Sequence, residues 1–121
     1  MSIVGIGVDL VSVERTERMV KRFGHRFFSR FFNDSEKVPS KIERVASRIA
    51  AKEAVLKVLK TGLSKGMRWR DVEIVGGEAA APEVRLHNTA LLVAEQLSIK
   101  RIHLSLTHQG GFAVAVAVGE A

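Results

Sequence analysis

Residues 42–60 carry the feature that most constrains the fold: a long helical pattern with an acid set into its apolar face. Ile42, Val45, Ala46, Ile49 and Leu56 recur at the i, i+3, i+4, i+7 spacing of a core-facing stripe. Glu53 falls on that stripe, four residues after Ile49 and three before Leu56. A carboxylate taken out of water without a partner is strongly destabilising, or it takes up a proton. A fold built on this helix therefore has to bring a cation to Glu53.

The flanking segments predict an α+β chain: a mostly antiparallel sheet packed against the long helix, with short helices besides. Residues 3–11 alternate, with Val4, Ile6, Val8 and Leu10 on one face and Ile3, Gly5, Gly7 and Asp9 on the other. Two glycines inside a strand mark the close approach of a ligand or of another backbone. Ser12 is placed to cap a short helix over 13–23, and 25–32 forms a second, anchored by Phe27, Phe28, Phe31 and Phe32. The long helix is expected to end at Thr61-Gly62, where glycine can take the left-handed conformation. Strands are predicted at 69–75, 83–87, 101–107 and 112–118, and a helix at 88–97. His108-Gln109-Gly110-Gly111 closes the last two strands into a hairpin. With no internal repeat or linker, residues 1–121 are expected to form one domain.

Net charge is +6, from 19 Lys and Arg against 13 Asp and Glu, which favours an anionic partner. Nucleic acid, acidic protein, phosphorylated metabolite and membrane surface all meet that description. The chain has no Cys, which excludes disulfides and a thiolate zinc site. It has no Tyr, and five of its six Phe lie within 23–32, a poor distribution for stacking single-stranded RNA. No apolar run approaches the roughly 20 residues of a membrane span, and the N-terminus enters a strand pattern at once. A cytoplasmic protein is expected.

Asp9 and Glu53 are the first candidates for chemistry. Two converging carboxylates without Cys suit a hard cation, and Mg²⁺ needs only one or two of them beside water and substrate phosphates. The alternative is that each acid pairs locally, with Arg48 and Lys52 near Glu53. Lys57 and Lys60 follow Glu53 by four and seven residues on the same helix face, the order expected of a helix end that lines an anion site. Simple i,i+4 pairing of Glu53 with Lys57 explains them as well. Ser105, Thr107 and His108 sit on the non-core side or end of a strand that enters a glycine turn, a place to bind phosphate or merely to turn the chain. Gly5-Ile6-Gly7 lies within a strand and is not a dinucleotide fingerprint.

In that order, Gly5-Ile6-Gly7-Val8-Asp9-Leu10-Val11, Arg48-Ile49-Ala50-Ala51-Lys52-Glu53-Ala54-Val55-Leu56-Lys57 and His103-Leu104-Ser105-Leu106-Thr107-His108 resemble the holo-acyl-carrier-protein synthases. These are the short, single-unit class of 4′-phosphopantetheinyl transferases, and the resemblance spans nearly the whole chain. It implies the transferase fold, assembled as a homotrimer with each site between subunits, and transfer of the phosphopantetheine arm of coenzyme A to a serine of apo-acyl carrier protein, in support of fatty acid biosynthesis. Asp9 and Glu53 would hold Mg²⁺, and Lys57 would meet a phosphate of coenzyme A. Gly62, Ser105, Thr107 and His108 would line the nucleotide pocket, while Arg15 would meet the acidic carrier protein, with Arg18, Lys21 and Arg22 extending that basic helix. The serine proton would pass to Glu53 or to a metal-bound water; the residues leave that choice open. The glycine face beside Asp9 and the Ala113, Ala115, Ala117 face would permit subunits to approach closely. Three stretches depart from the family pattern. Leu59-Lys60-Thr61-Gly62 replaces an aromatic-Gly-Thr-Gly turn, so a phosphate role for Lys60 is inferred from its place on the helix alone. Ala80-Ala81-Pro82 replaces Gly-Lys-Pro, and Gln109-Gly110-Gly111 follows His108 in place of a polar pair. The competing readings are a basic module that binds RNA through residues 15–30, which gains nothing from burying Asp9 and Glu53, or a protein-docking surface on the basic helix without catalysis. The transferase reading excludes nucleic acid and membrane as partners.

Overall fold

A computed structural model describes residues 2–60, 66–77 and 80–121. The long helix, α3 (Ile42–Val58), lies across a three-stranded antiparallel sheet of β1 (Ile3–Ser12), β5 (Phe112–Glu120) and β4 (Arg101–Gln109), in the order β1-β5-β4. A second, two-stranded antiparallel sheet pairs β2 (Val72–Val75) with β3 (Glu83–Leu86). Short helices α1 (Val13–Phe23) and α2 (His25–Phe31) follow β1, and α4 (Asn88–Gln96) precedes β4. The α+β class and the antiparallel pairing are as the sequence predicts.

Local chemistry explains the boundaries. The Ser12 hydroxyl accepts a hydrogen bond from the Arg15 backbone N–H at 3.1 Å and starts α1. Gly24, at φ +54°, separates α1 from α2. Gly110 and Gly111, at φ +61° and +85°, form the tight turn between β4 and β5. His108 and Gln109, expected in that turn, instead continue β4, because the two glycines alone supply the reversal. Residues 69–71, expected as strand, form a 3-10 turn before β2.

The contact of α3 with the sheet inverts one expectation. The bare side of β1 is the buried one. A Cβ on Gly7 would stand 1.9 Å from the Ala54 carbonyl oxygen, and one on Gly5 would stand 2.9 Å from that of Val58. On β5 the facing residues are Ala113, Ala115 and Ala117, all fully buried. Small residues line this seam because the helix backbone rests directly on the sheet. The glycine and alanine faces are therefore occupied by the chain's own helix and do not provide a surface for another subunit. The larger side chains of β1 and β5 point outward instead, with Ile6, Val8 and Leu10 at 65%, 54% and 61% exposure.

Residues 42–60 also depart from a one-sided stripe. Twelve residues of α3 are buried, on several sides of the helix, because it is covered by the sheet on one flank and by an aromatic cluster on another. That cluster joins Phe27, Phe31 and Phe32 to Val45 and Ile49. The helix stops at Val58, short of the expected end, and Lys60 takes φ +65° beyond it. The expected glycine cap at Thr61-Gly62 lies outside the described residues.

Gly7→Ala forces a methyl group into the Ala54 carbonyl. It should lower folding stability by about 3 kcal/mol, the upper range for overpacking a filled core. Urea unfolding measures this; a loss too small to resolve would mean that α3 can lift off the sheet freely.

Candidate active site

Asp9 and Lys57 meet where β1 passes under the last turns of α3. Lys57 Nζ donates to the Val8 carbonyl at 2.8 Å and lies 3.4 Å from Asp9 Oδ1. The Asp9 carboxylate is largely covered, whereas the Lys57 side chain is about half exposed. An ammonium has three donors, so two engaged with β1 leave one for a ligand. Lys57 thus pairs with the upstream acid and not with Glu53 one turn before it.

Glu53 is partly buried, and its partner is neutral: the Trp69 indole N–H donates to Oε1 at 2.6 Å. Neither local cation proposed for it reaches it. Lys52 Nζ binds Glu36 Oε1 at 2.8 Å, and Arg48 Nη1 donates to the Ile74 carbonyl at 2.9 Å, with Nη2 on the Gly76 carbonyl. The reason is rotation about the helix: adjacent residues point about 100° apart, so Lys52 and Glu53 cannot share one side. Lys52, not Glu53, is the charge that α3 buries completely. Its three donors go to Glu36, the Trp69 carbonyl at 3.3 Å and the Val72 carbonyl. Glu36 uses its second oxygen to accept from the Ile74 backbone N–H at 3.1 Å. Burial pulls the Lys52 ammonium below the ordinary lysine range, while the adjacent Glu36 carboxylate opposes that shift.

Asp9 is paired with the Lys57 ammonium, whereas Glu53, one turn earlier on α3, meets only the Trp69 indole. An indole hydrogen bond orients a carboxylate without neutralising it, so the Glu53 charge is available to a cation. Among the described residues no group of three or more His, Cys, Asp or Glu side chains forms a complete metal cage. The donor set suits a hard cation that keeps water and substrate oxygens, and it does not suit a closed structural site.

Strand alternation divides the other predicted pocket residues. Ser105 and Thr107 pair with Val116 and Val114 on the outer face of the sheet. His108 pairs with Ala113 and falls on the same side as Leu104 and Leu106. Thr107 and His108 border a cleft of about 280 Å³ with Arg44, Ser47, Arg48 and Gly77; Ser105 is not part of it. Of the cleft's arginines, Arg44 carries no signal in the sequence, and Arg48 is singled out there only as a partner for Glu53 and as the start of the middle motif. Lys60 is exposed, takes a left-handed backbone beyond the end of α3, and its stem runs beside Gly5 at the far end of the seam. Gly62 lies outside the described residues.

Arg15, Arg18, Lys21 and Arg22 are all exposed on α1. Glu14 and Glu17 share the helix and pair with Arg18 at 3.7 Å and Lys21 at 3.8 Å, contacts too exposed to hold the side chains firmly. The Arg22 and Arg26 guanidiniums both lie over the Phe23 ring, at 5.2 and 5.3 Å.

The sequence profile of the 4′-phosphopantetheinyl transferase superfamily matches residues 5–117. A holo-[acyl-carrier-protein] synthase of Geobacter sulfurreducens is 42% identical over 123 aligned positions, which cover 98% of each chain. The crystal structure of the holo-[acyl-carrier-protein] synthase of Neisseria meningitidis superposes with a TM-score of 0.88 at 32% identity, over 99% of this chain and 100% of the other. That of the Helicobacter pylori enzyme, in complex with coenzyme A, gives 0.84 at 35% identity, over 95% and 99%.

Proposed function

The chain belongs to the 4′-phosphopantetheinyl transferase superfamily, among the holo-[acyl-carrier-protein] synthases, and we propose that it transfers 4′-phosphopantetheine from coenzyme A to a serine of apo-acyl carrier protein. The serine oxygen forms a bond to the phosphorus as the bond to adenosine 3′,5′-bisphosphate breaks; the serine proton is released and the bisphosphate leaves with the electron pair. The product, holo-acyl carrier protein, serves fatty acid biosynthesis in the cytoplasm. The observation that carries this reading is the contact of Lys57 on α3 with Asp9 on β1, with Glu53 one helical turn before Lys57.

Each residue has work suited to phosphoryl transfer, which depends on positioning and on charge neutralisation. Asp9 and Glu53 would hold Mg²⁺, which neutralises negative charge on the pyrophosphate when bound. Lys57, anchored on β1 by two of its donors, turns the third toward a phosphate oxygen. Arg44, Arg48, Thr107 and His108 border the cleft that suits the nucleotide end of coenzyme A, cation and hydroxyl donors being what its phosphates require. Ser105, on the outer face, reaches such a ligand only across a subunit boundary. Arg15, with Arg18, Lys21 and Arg22, offers α1 to an acidic carrier protein. Among the described residues no helix is long and apolar enough to cross a membrane.

A homotrimer accounts for the outer face of the main sheet. Val8, Val116 and Ser105 form one row across it, and Leu10, Val114 and Thr107 the next. An apolar face of this kind, rimmed by hydroxyls, is typical of a surface covered by another chain. The sites then form where β4 of one subunit meets its neighbour.

Incubation with coenzyme A, Mg²⁺ and apo-acyl carrier protein should add one phosphopantetheine to the carrier, read by intact mass. Glu53→Gln should reduce that rate by about a hundredfold or more while thermal unfolding stays unchanged. An unmodified carrier with wild-type enzyme refutes the transfer, and full activity in the folded variant refutes the role of Glu53. Arg15→Glu should raise KM for the carrier about tenfold with KM for coenzyme A little changed; parallel increases in both would place Arg15 at the nucleotide instead. By light scattering, wild type should run as three 13.3 kDa chains, and Val116→Asp as one. A single-chain mass for wild type rules out the trimer.

A further inference from the structure

Trp69 has no place in the sequence-based assignment, yet it makes the hydrogen bond that fixes Glu53. The geometry points to Trp69 as a positioning residue: its indole N–H holds Glu53 Oε1 and turns Oε2 toward the cation and the phosphates. This inference rests on the transferase reading above.

Three observations support it. The contact is short, 2.6 Å from Nε1 to Oε1, and spans 16 residues, so it is made by the fold and not by helix spacing. The indole is itself held by two neighbours. Phe31 packs against the ring with centroids 4.6 Å apart, and the Arg30 guanidinium lies over it at 5.4 Å. Its backbone is held as well, since buried Lys52 donates to the Trp69 and Val72 carbonyls that bracket the 3-10 turn. Neighbouring residues of α3 therefore grip one short turn in two ways, Lys52 through its carbonyls and Glu53 through its side chain. A donor so restrained cannot follow the carboxylate if it swings, and that is what fixes the carboxylate's direction. Because the donor is neutral, it sets the direction without cancelling the charge that a cation needs. A second-sphere group has this task when it orients a metal-binding side chain.

The chain has one Trp and no Tyr, so its intrinsic fluorescence reports on this contact directly. Titration of the wild-type protein with Mg²⁺ in the presence of coenzyme A should shift Trp69 emission, and Glu53→Gln should remove the shift. Trp69→Phe retains a ring against Phe31 but has no N–H. It should raise the Mg²⁺ concentration for half-maximal transfer about tenfold, with KM for the carrier protein unchanged, and calorimetry should show the same weakening of Mg²⁺ binding. If Trp69→Phe proves unstable, the wild-type fluorescence titration and its Glu53→Gln control still decide the matter. An active wild-type enzyme whose emission ignores Mg²⁺, or a folded Trp69→Phe with unchanged Mg²⁺ dependence, overturns the inference and leaves the transferase reading intact. A wild-type enzyme that modifies no carrier removes that reading itself.

Discussion

The close contact of α3 with the glycines of β1 is the constraint on which the rest of the structure depends. With no side chain at Gly7, the strand reaches the Ala54 carbonyl, and the same spacing along β5 admits only alanines. Side-chain layers between helix and sheet ordinarily keep their backbones apart; here the layer is removed. Two consequences follow from that geometry. Lys57 becomes long enough to cross from the helix to Asp9 and the Val8 carbonyl. The bulky residues of β1 and β5, excluded from the seam, collect on the opposite face, where Ile6, Val8 and Leu10 meet Val118, Val116 and Val114. One packing decision thus supplies both a place for charge and an exposed apolar face.

Much of this order was legible in the sequence, and the places where it was not have physical causes. Ser12 and the α1 boundaries followed from capping, and the Gly110-Gly111 turn from its need for positive φ. The face of β1 was harder. Alternation separates two sets of residues, but it does not say which set is inside, and hydrophobicity favours the wrong one here. Only the pairing of two glycines on β1 with three alternate alanines on β5 signals a backbone-to-backbone contact. The stripe on α3 misled in a similar way. A helix covered on several sides loses its amphipathic signature, so a charge within it cannot be located by period alone. Glu53 was singled out for its place on a stripe, whereas the fully buried charge proved to be Lys52 beside it.

Lys52 shows why sequence spacing could not find the supporting shell. Its partners are Glu36, 16 residues earlier, and carbonyls at Trp69 and Val72, 17 and 20 residues later. No periodic rule links such positions; they converge only after the loop before α3 and the turn before β2 have both folded onto the helix. A buried ammonium that satisfies all three donors in this way is costly to break, since removing any partner leaves a charged or polar group unpaired away from water. The pair therefore acts as a specification: it admits one position of the Glu36 loop and one of the 3-10 turn. Lys60 illustrates a different limit. Its left-handed backbone suits the glycine of the family pattern, and nothing in the periodicity signals that α3 ends at Val58, before it.

Asp9 and Glu53 are not equivalent, and their difference bears on how a cation could be held without being held too tightly. Asp9 already faces an ammonium, which offsets part of the charge it can offer. Glu53 faces an indole, which offsets none. If both acids were uncompensated, the apo seam would concentrate two negative charges against an anionic co-substrate. If both were paired with cations, no site for Mg²⁺ would remain. In the proposed site, one compensated and one oriented carboxylate would leave a single negative charge, which a divalent ion would reverse. On the proposed reading the site would favour a pyrophosphate only when the ion is present, so ion and co-substrate would reinforce each other's binding. By reciprocity each would then raise the affinity of the other by the same factor.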